Sequence, residues 1–258
     1  RGILGGLQNQ VFDFYQRSAP RPYTDTAVRY VDIDEESLKR VGQWPWPRTT
    51  LANLTAKLRD AGAAVISFDM TFPAPDRTSP NMIARALPAE PEWDATRAQL
   101  LALPNNDDRF AATLKRSPVA LGFIMTDRDT GRAPVLKGGL AVVGDGKPEH
   151  TVASFAGATV SLDVLQNAAP GAGSFNTSPD QDGIIRRVPL FVAHKGKIYP
   201  GLALETLRIA QRNEEGSTPS YLIKTAGASD ELAAGVDPNR IVSVKLGAFE
   251  IPSTRDGQ

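Results

Sequence analysis

Three aspartates could bind a cation or a charged ligand if the fold brings them together. Asp32 and Asp34 close the strand-like run TAVRYVDID, and Asp69 closes a second apolar run, AAVISFDMTF. Ligands of open α/β sheets bind at the carboxyl ends of the strands, so these carboxylates are candidates to hold a hard cation such as Mg²⁺. Each also has a structural alternative: Asp34 caps a helix, Asp69 accepts amides in a turn, and Asp32 pairs with Arg48.

A stiff aromatic segment, VGQWPWPRTTL, follows the first aspartates. Trp44 and Trp46 each stand beside a proline, which fixes the local backbone and lowers the entropy lost when the rings are buried or contact a ligand. Arg48 then stands at the start of a predicted helix, where a cation opposes the helix dipole. We therefore expect Arg48 to meet an anion, either Asp32, Asp69 or a ligand from outside. Together these residues are the candidate ligand site: Asp32, Asp34, Trp44, Trp46, Arg48 and Asp69.

The run SPDQDGIIRR resembles half of a calcium loop. A full loop requires a further bidentate acid, whereas here the chain continues into Ile184 and Ile185. Asp-Gly before a β-branched run is a strong turn signal, so we predict a structural turn formed by Asp180, Asp182, Gly183 and Arg186.

Nucleophilic catalysis has little support. The chain has two histidines, His150 and His194, both predicted to be exposed in loops or turns, and no G-x-S-x-G, P-loop or G-x-G-x-x-G motif. A hydrolase interpretation would rest on the three aspartates and a metal ion alone. The sequence predicts no cofactor and assigns no metal site.

The composition is that of a globular domain. In 258 residues there are 29 basic and 29 acidic side chains and no cysteine, which gives no support for a nucleic-acid partner and excludes thiolate chemistry. No apolar run is long enough to span a membrane. The chain begins with arginine and ends in a polar run, so we interpret it as a piece of a longer protein.

The apolar pattern predicts one α/β domain over residues 1–258, with a mixed, mostly parallel central sheet flanked by helices. Residues 1–18 form an entering helix, and residues 73–104 form a variable surface insertion with a short helix or two. A strand over TAVRYVDID, a helix over RTTLANLTAKLRDAG and a strand over AAVISFDMTF predict a βαβ unit. Further elements are a helix at DDRFAATLKRS, a strand at PVALGFIMT, a short strand at LAVV and a helix at SLDVLQNAA. Residues 171–213 are predicted to form a turn, a strand, a hairpin turn and a helix, and the tail forms a final hairpin turning at Gly247.

Several separated motifs, in order, resemble the type-2 CHASE domain, the cyclase and histidine-kinase associated sensory extracellular domain of bacteria. Members of this family show an I-D-E-x-S-L segment, a W-P-W-P-R clamp, a helix ending in G-A-K-x-I and a strand ending in F-D-x-x-F. Here the matching runs are VDIDEESL, WPWPR, GAAVI and FDMTF, followed by DDRFAATL, DQDGIIRRVPL and YPGLALETL. Ala64 replaces a common lysine, and the Pro/Ala-rich insert before Asn105 is a second departure.

The resemblance implies a non-enzymatic sensor in the periplasm, attached to the inner membrane only by flanking transmembrane helices outside this piece. The cytoplasmic part of such a receptor is an adenylate or guanylate cyclase, a histidine kinase or a serine/threonine kinase. The implied partners are an unknown small-molecule or protein signal, the output domain of the same chain and a second copy in a homodimer. Two alternatives stay open: a metal-dependent hydrolase, and an assembly module that dimerises through the amino-terminal helix.

Overall fold

The computed structural model of the chain describes residues 3–177, 179–180, 182–228 and 235–253. The chain divides into two units, residues 1–45 with 179–186 and residues 46–178 with 187–258. Parts of the sequence predictions that fall on residues 1–2, 178, 181, 229–234 and 254–258 lie outside the described residues.

The first unit contains two helices, α1 (Ile3–Ser18) and α2 (Glu35–Val41). The α2 helix begins where the sequence indicates, because the Asp34 carboxylate accepts the Ser37 amide at 2.8 Å and the Ser37 hydroxyl at 2.7 Å. It ends at Gly42, whose φ of 111° lies in a region that side chains disfavour. The structural interpretation of Asp34 is therefore confirmed.

The strand predicted over TAVRYVDID is wrong. Residues 27–34 are extended but form no strand, and most of their side chains are open to solvent, with Val28 78% and Tyr30 88% exposed. β-branched and aromatic residues favour strands only where neighbouring strands and a packed face stabilise them. The βαβ unit that depended on this strand is absent as well.

The second unit alternates helices and strands. Its helices are α3 (Arg48–Asp60), α4 (Pro80–Ala86), α5 (Asp94–Leu101), α6 (Asn106–Lys115), α7 (Asp163–Ala168) and α8 (Leu202–Ala210). Its strands are β1 (Ile66–Phe68), β2 (Val119–Thr126), β3 (Leu140–Val143), β4 (Ser154–Phe155), β5 (Gly157–Thr159), β6 (Gly171–Ser174), β7 (Phe191–His194), β8 (Lys197–Pro200), β9 (Tyr221–Thr225), β10 (Ile241–Leu246) and β11 (Phe249–Pro252). Short 3₁₀ turns lie at Pro91–Trp93, Pro148–His150 and Ala226–Ala228.

The mixed, mostly parallel sheet is confirmed. In it β2 pairs in parallel with β1 and β6, and antiparallel with β5. Beyond it, the described strands form two further sheets, one in the order β11-β10-β9-β3 and one in the order β4-β7-β8. The predicted final hairpin is present as β10 and β11, and β7 and β8 form the other hairpin.

Apolar faces of these elements form the core of the second unit. The rings of Phe68, Phe72 and Phe110 meet edge to face, with centroids 5.5 to 6.0 Å apart, where β1 and α6 approach each other. Trp46 is also buried, at 7% exposure. A second cluster packs the β9–β10 pair against β7 and α8. The aromatic cluster joins β1 to α6, and the second cluster lies elsewhere in the same unit.

The segment over residues 73–104 contains α4 and α5, as the sequence indicates. However, its first part is inside the fold: Asp76, Ser79 and Ala84 are buried, with Ala84 fully covered. A predicted surface loop therefore supplies internal polar groups to the region described next.

Candidate functional site

The α3 helix begins at Arg48, and a distant carboxylate caps it. The preceding residue is Pro47, which has no side chain that could accept the first helical amides. Instead the Arg48 amide donates to Asp76 Oδ2 at 2.8 Å. A residue 28 positions later in the chain thus does the work of a local cap.

The Arg48 guanidinium is an internal cation. Its Nε lies 3.3 Å from Asp107 Oδ1, Nη2 donates to the Ala74 carbonyl at 3.2 Å, and Cζ lies 4.5 Å from the centre of the Phe72 ring. Only 7% of the residue is exposed. The anion expected from the sequence is present, but it is Asp107 and not Asp69.

Asp76 connects the segment after β1 to the starts of α3 and α6. Its carboxylate accepts the Thr78 amide and hydroxyl at 2.8 Å and the Asn106 amide group at 3.0 Å, and its own amide donates to Asp107 Oδ2 at 3.0 Å. Ser79 and Asn105 extend the network, because the Ser79 hydroxyl donates to Asn105 Oδ1 at 3.0 Å. We call the set Arg48, Asp76, Asn106 and Asp107 the arginine network.

The two carboxylates of the arginine network have opposite pKa shifts. Burial raises the pKa of Asp107, although the Asp76 amide and the charge of Arg48 oppose the rise. Burial acts in the same direction on Asp76, but hydrogen bonds from the Arg48 amide, from Thr78 and from Asn106 outweigh it, so the pKa of Asp76 is lowered. Burial also lowers the pKa of Arg48 against the opposing effect of both aspartates.

Asp69 is the exposed member of the candidate site in the second unit. It follows β1 directly and makes no hydrogen bond or ion pair with the described part of the chain. The turn interpretation, in which backbone amides satisfy Asp69, is therefore wrong. Among the candidates of this unit, Asp69 is open to a ligand, whereas Trp46 and Arg48 are buried.

The other candidates belong to the first unit. Asp34 is occupied as the cap of α2, Trp44 is half-buried, and Asp32 is exposed on the extended segment. Their part in ligand binding stays a prediction.

The turn at residues 180–186 is built around Arg186 in the first unit. The Gly183 amide donates to the Asp180 carbonyl at 2.9 Å, and Gly183 has a φ of 79°. Arg186 makes ion pairs with Asp180 at 3.0 Å, with Asp182 at 2.7 Å and with Asp13 of α1 at 2.5 Å. The hydrogen bond from Arg186 is the main cause that lowers the pKa of Asp182, to about 2, and of Asp13.

The sequence analysis did not identify two further buried polar sites, an ion pair in α8 and a histidine in β7. Glu205 and Arg208 of α8 pair at 2.7 Å inside the second unit, and Tyr221 of β9 donates its hydroxyl to Glu205. The exposure predicted for His194 is wrong, because this residue ends β7 inside a sheet and is 2% exposed. Its Nδ1 lies 3.1 Å from the Phe155 carbonyl. A clue was available for α8, since Glu205 and Arg208 stand on its apolar face at i, i+3 spacing.

The polar side chains described above can bind a ligand or position one another. No group of three or more histidine, aspartate or glutamate side chains among the described residues could hold a metal ion. Likewise, no helix in the described part of the chain is long and apolar enough to cross a membrane.

The model of one protein family, the CHASE2 domain, matches residues 1–258, the whole chain. The chain therefore belongs to the CHASE2 family, whose members are extracellular sensory domains of signalling receptors and are not catalytic. Searches of curated proteins and of solved structures found no match.

Proposed function

We propose that the chain is the periplasmic sensor of a bacterial inner-membrane receptor, and that its signal regulates an adenylate or guanylate cyclase in the same protein. The observation that carries the proposal is the CHASE2 match along all 258 residues. A sensor must convert the presence of a signal into a change of conformation, so the signal has to bind one conformation more tightly than another.

Within the second unit, we propose Asp69 as a residue that contacts the signal. It is exposed, it has no partner among the described residues, and it stands at the carboxyl end of a parallel strand, where ligands of α/β sheets bind. Asp32, Asp34 and Trp44 are the corresponding candidates in the first unit.

Arg48 and Trp46 act in this proposal as positioning residues. Asp69 is separated by only a few residues from Phe72 and Ala74, both of which contact the Arg48 guanidinium. A ligand that pulls on Asp69 would therefore strain the link between the segment after β1 and the starts of α3 and α6. Because buried ion pairs tolerate little displacement, such a link favours discrete alternatives over gradual deformation.

The open reading frame that encodes this chain tests the output. Membrane spans on both sides of the sensor and a cyclase domain beyond them support the proposal. A histidine kinase or serine/threonine kinase domain in that place would show that the receptor regulates a kinase and not a cyclase. A reading frame without membrane spans would contradict the proposal that the protein is a membrane receptor.

Substitution in the full-length receptor tests the contact residue. Asp69→Asn removes one exposed charge and should change the output of cyclic nucleotide in response to the native extracellular medium. Asp145→Asn is the matched control, because Asp145 is also an exposed acid in a turn of the same unit. Equal responses of the two variants and the wild type would remove Asp69 from the mechanism.

A further inference from the structure

Asp69 lies next to two glycines at the carboxyl end of the mixed sheet. The register of β1 on β2, carried one residue past Phe68, sets Asp69 beside Gly122, and Gly122 pairs with Gly173 of β6. We call Asp69, Gly122 and Gly173 the edge row. The two glycines have no side chains, so other parts of the chain fill the space above them and decide what Asp69 can meet.

The edge row lies on the side of the sheet that α8 covers. A Cβ atom on Gly173 would lie 2.5 Å from a backbone atom of α8, and residues paired across neighbouring strands face the same side, so Gly122 faces α8 as well. On β1, the hydroxyls of Ser67 and Thr206 of α8 lie 3.0 Å apart. Because side chains alternate along a strand, Asp69, two residues after Ser67, follows on this side.

An aromatic ring covers the middle of the edge row. A Cβ atom on Gly122 would lie 2.7 Å from Cδ1 and 2.8 Å from Cε1 of the Phe175 ring, and 2.6 Å from the Phe68 carbonyl oxygen. The ring and this carbonyl are therefore neighbours, and Asp69 follows the carbonyl directly in the chain. Phe175 is half-buried, so part of its ring stays open to solvent.

A carboxylate beside an open ring fits one class of ligand. Asp69 is exposed and makes no hydrogen bond or ion pair with the described part of the chain. A divalent metal ion needs several oxygen ligands, and the described residues offer no group that could hold one. An organic ammonium ion needs only a carboxylate opposite its charge and a ring against its alkyl groups, where the charge is attracted by the ring electrons.

We propose that Asp69 and Phe175 together bind an organic ammonium ion. The Asp69 carboxylate lies opposite the charge, and the Phe175 ring contacts the alkyl groups on the nitrogen. Gly122 is the positioning residue, because only a residue without a side chain lets the ring lie this close to β2. The inference rests on the proposed function, in which Asp69 contacts the signal, and it adds the chemical class of that signal.

Titration of the isotope-labelled chain with tetramethylammonium chloride tests the site by nuclear magnetic resonance. The backbone amide signals of Asp69 and Gly122 should shift and then saturate. tert-Butanol, a neutral molecule of similar size and shape, is the control for apolar contact, and sodium chloride at the same ionic strength is the control for screening of charge. Neither should give saturable shifts, and shifts equal to those with tetramethylammonium in either control would overturn the proposal.

Substitutions then assign the binding to the two side chains. Asp69→Asn should weaken the affinity for tetramethylammonium at least about tenfold and Phe175→Leu about threefold, whereas Phe175→Tyr keeps a ring and should bind like the wild type. Asp145→Asn and Phe249→Leu are the matched controls, an exposed acid and an exposed phenylalanine elsewhere in the same unit, and both should bind like the wild type. Urea midpoints show whether each variant is folded, and Asp69→Asn and Phe175→Tyr carry the test if Phe175→Leu is not.

Equal affinity of Asp69→Asn and the wild type, or shifts that never saturate, would overturn the ammonium site. If Asp69→Asn nevertheless changed the output of the full-length receptor, the signal would belong to another chemical class and the proposed function would stand. Loss of tetramethylammonium binding in Asp69→Asn with an unchanged receptor output would support the ammonium site and remove Asp69 from signalling. The two measurements therefore separate failure of the site from failure of the proposed function.

Discussion

A guanidinium can be buried at little cost in stability only where oxygen atoms replace the water it has lost. Around Arg48 these oxygens are the Asp107 carboxylate and the Ala74 carbonyl, with the Phe72 ring covering one face. A buried ion pair contributes little to the stability of the fold compared with a well-packed apolar pair. Removing one member is nevertheless strongly destabilising, because it leaves an unpaired buried charge. Arg48 therefore belongs to the machinery that holds the site and is not free to bind an external anion.

Arg48→Met should destabilise the protein by about 3 to 5 kcal/mol, because Asp107 would keep its burial and lose its cation. Arg40→Met is the control: Arg40 and Glu36 form an exposed pair on α2, and its loss should cost at most about 0.5 kcal/mol. Urea unfolding followed by circular dichroism measures both. Similar midpoints for the two variants would contradict the structural role of Arg48.

The two aspartates of the arginine network should respond to acid in opposite directions. The lowered pKa of Asp76 means that it stabilises the fold above its ordinary pKa of 3.8, and this contribution is lost as the pH falls through the lowered value. The raised pKa of Asp107 means that its contribution is present below 3.8 and is lost as the pH rises through the raised value.

Consequently, when the pH is lowered from about 7 to about 3, the Asp76→Asn variant should lose less stability than the wild type does. The Asp107→Asn variant should lose more stability than the wild type over the same range. Urea midpoints at a series of pH values measure both differences. Parallel curves for the two variants would show that these carboxylates do not titrate differently in the folded state.

Among the secondary-structure elements, β6 and α8 pack closely against each other, and β6 belongs to the same sheet as β1, the strand that precedes Asp69. A Cβ atom on Gly173 would lie 2.5 Å from the Leu202 Cα, which belongs to the backbone and cannot move aside alone. Glu205 of α8 also accepts the Ala172 amide at 3.0 Å. The glycine thus lets the helix approach the strand closely enough for a buried hydrogen bond.

Gly173→Ala should therefore destabilise the protein by about 1 to 3 kcal/mol, because the helix must shift away from the strand. Gly6→Ala in α1 is the matched control, since no heavy atom lies within 4 Å of the place that its methyl group would take, and alanine favours helices. The control should be neutral or stabilising by up to about 1 kcal/mol. Thermal unfolding compares the two, and a neutral Gly173→Ala would mean that β6 and α8 separate without cost.

At the scale of the whole molecule, acidic side chains are used in pairs with cations and as helix caps. Asp34 caps α2, Asp107 pairs with Arg48, and Glu205 pairs with Arg208. Such dispersed use agrees with a sensor and leaves no carboxylate cluster for metal-assisted hydrolysis among the described residues.

Addition of Mg²⁺, Mn²⁺ or Ca²⁺ at millimolar concentration should therefore leave the melting temperature unchanged. A ligand that binds the folded state at about 100 times its dissociation constant would stabilise it by about 2.7 kcal/mol, which a melting curve detects readily. Titration calorimetry provides the second measurement. Saturable heat with any of the three ions would restore the hydrolase alternative.

The sequence by itself determined the family, the α/β class and the helices whose start and stop signals are local. The Asp34 cap, the apolar run of β2 and the final hairpin all depend on residues close together in the chain, so pattern and turn chemistry predict them. It also showed that Arg48 needs an anion, because the helix dipole makes a cation unfavourable at that position whatever surrounds it.

Only the tertiary structure decided which anion that is, and which predicted strands form. Asp107 reaches Arg48 because α6 and α3 start side by side, a proximity between residues 59 positions apart that no local pattern encodes. The run before Asp34 has the composition of a strand but remains extended and exposed, since a strand exists only when another edge accepts its hydrogen bonds. His194 shows the converse case, because its strand has partners on both sides, β4 and β8, and its buried Nδ1 lies 3.1 Å from the Phe155 carbonyl.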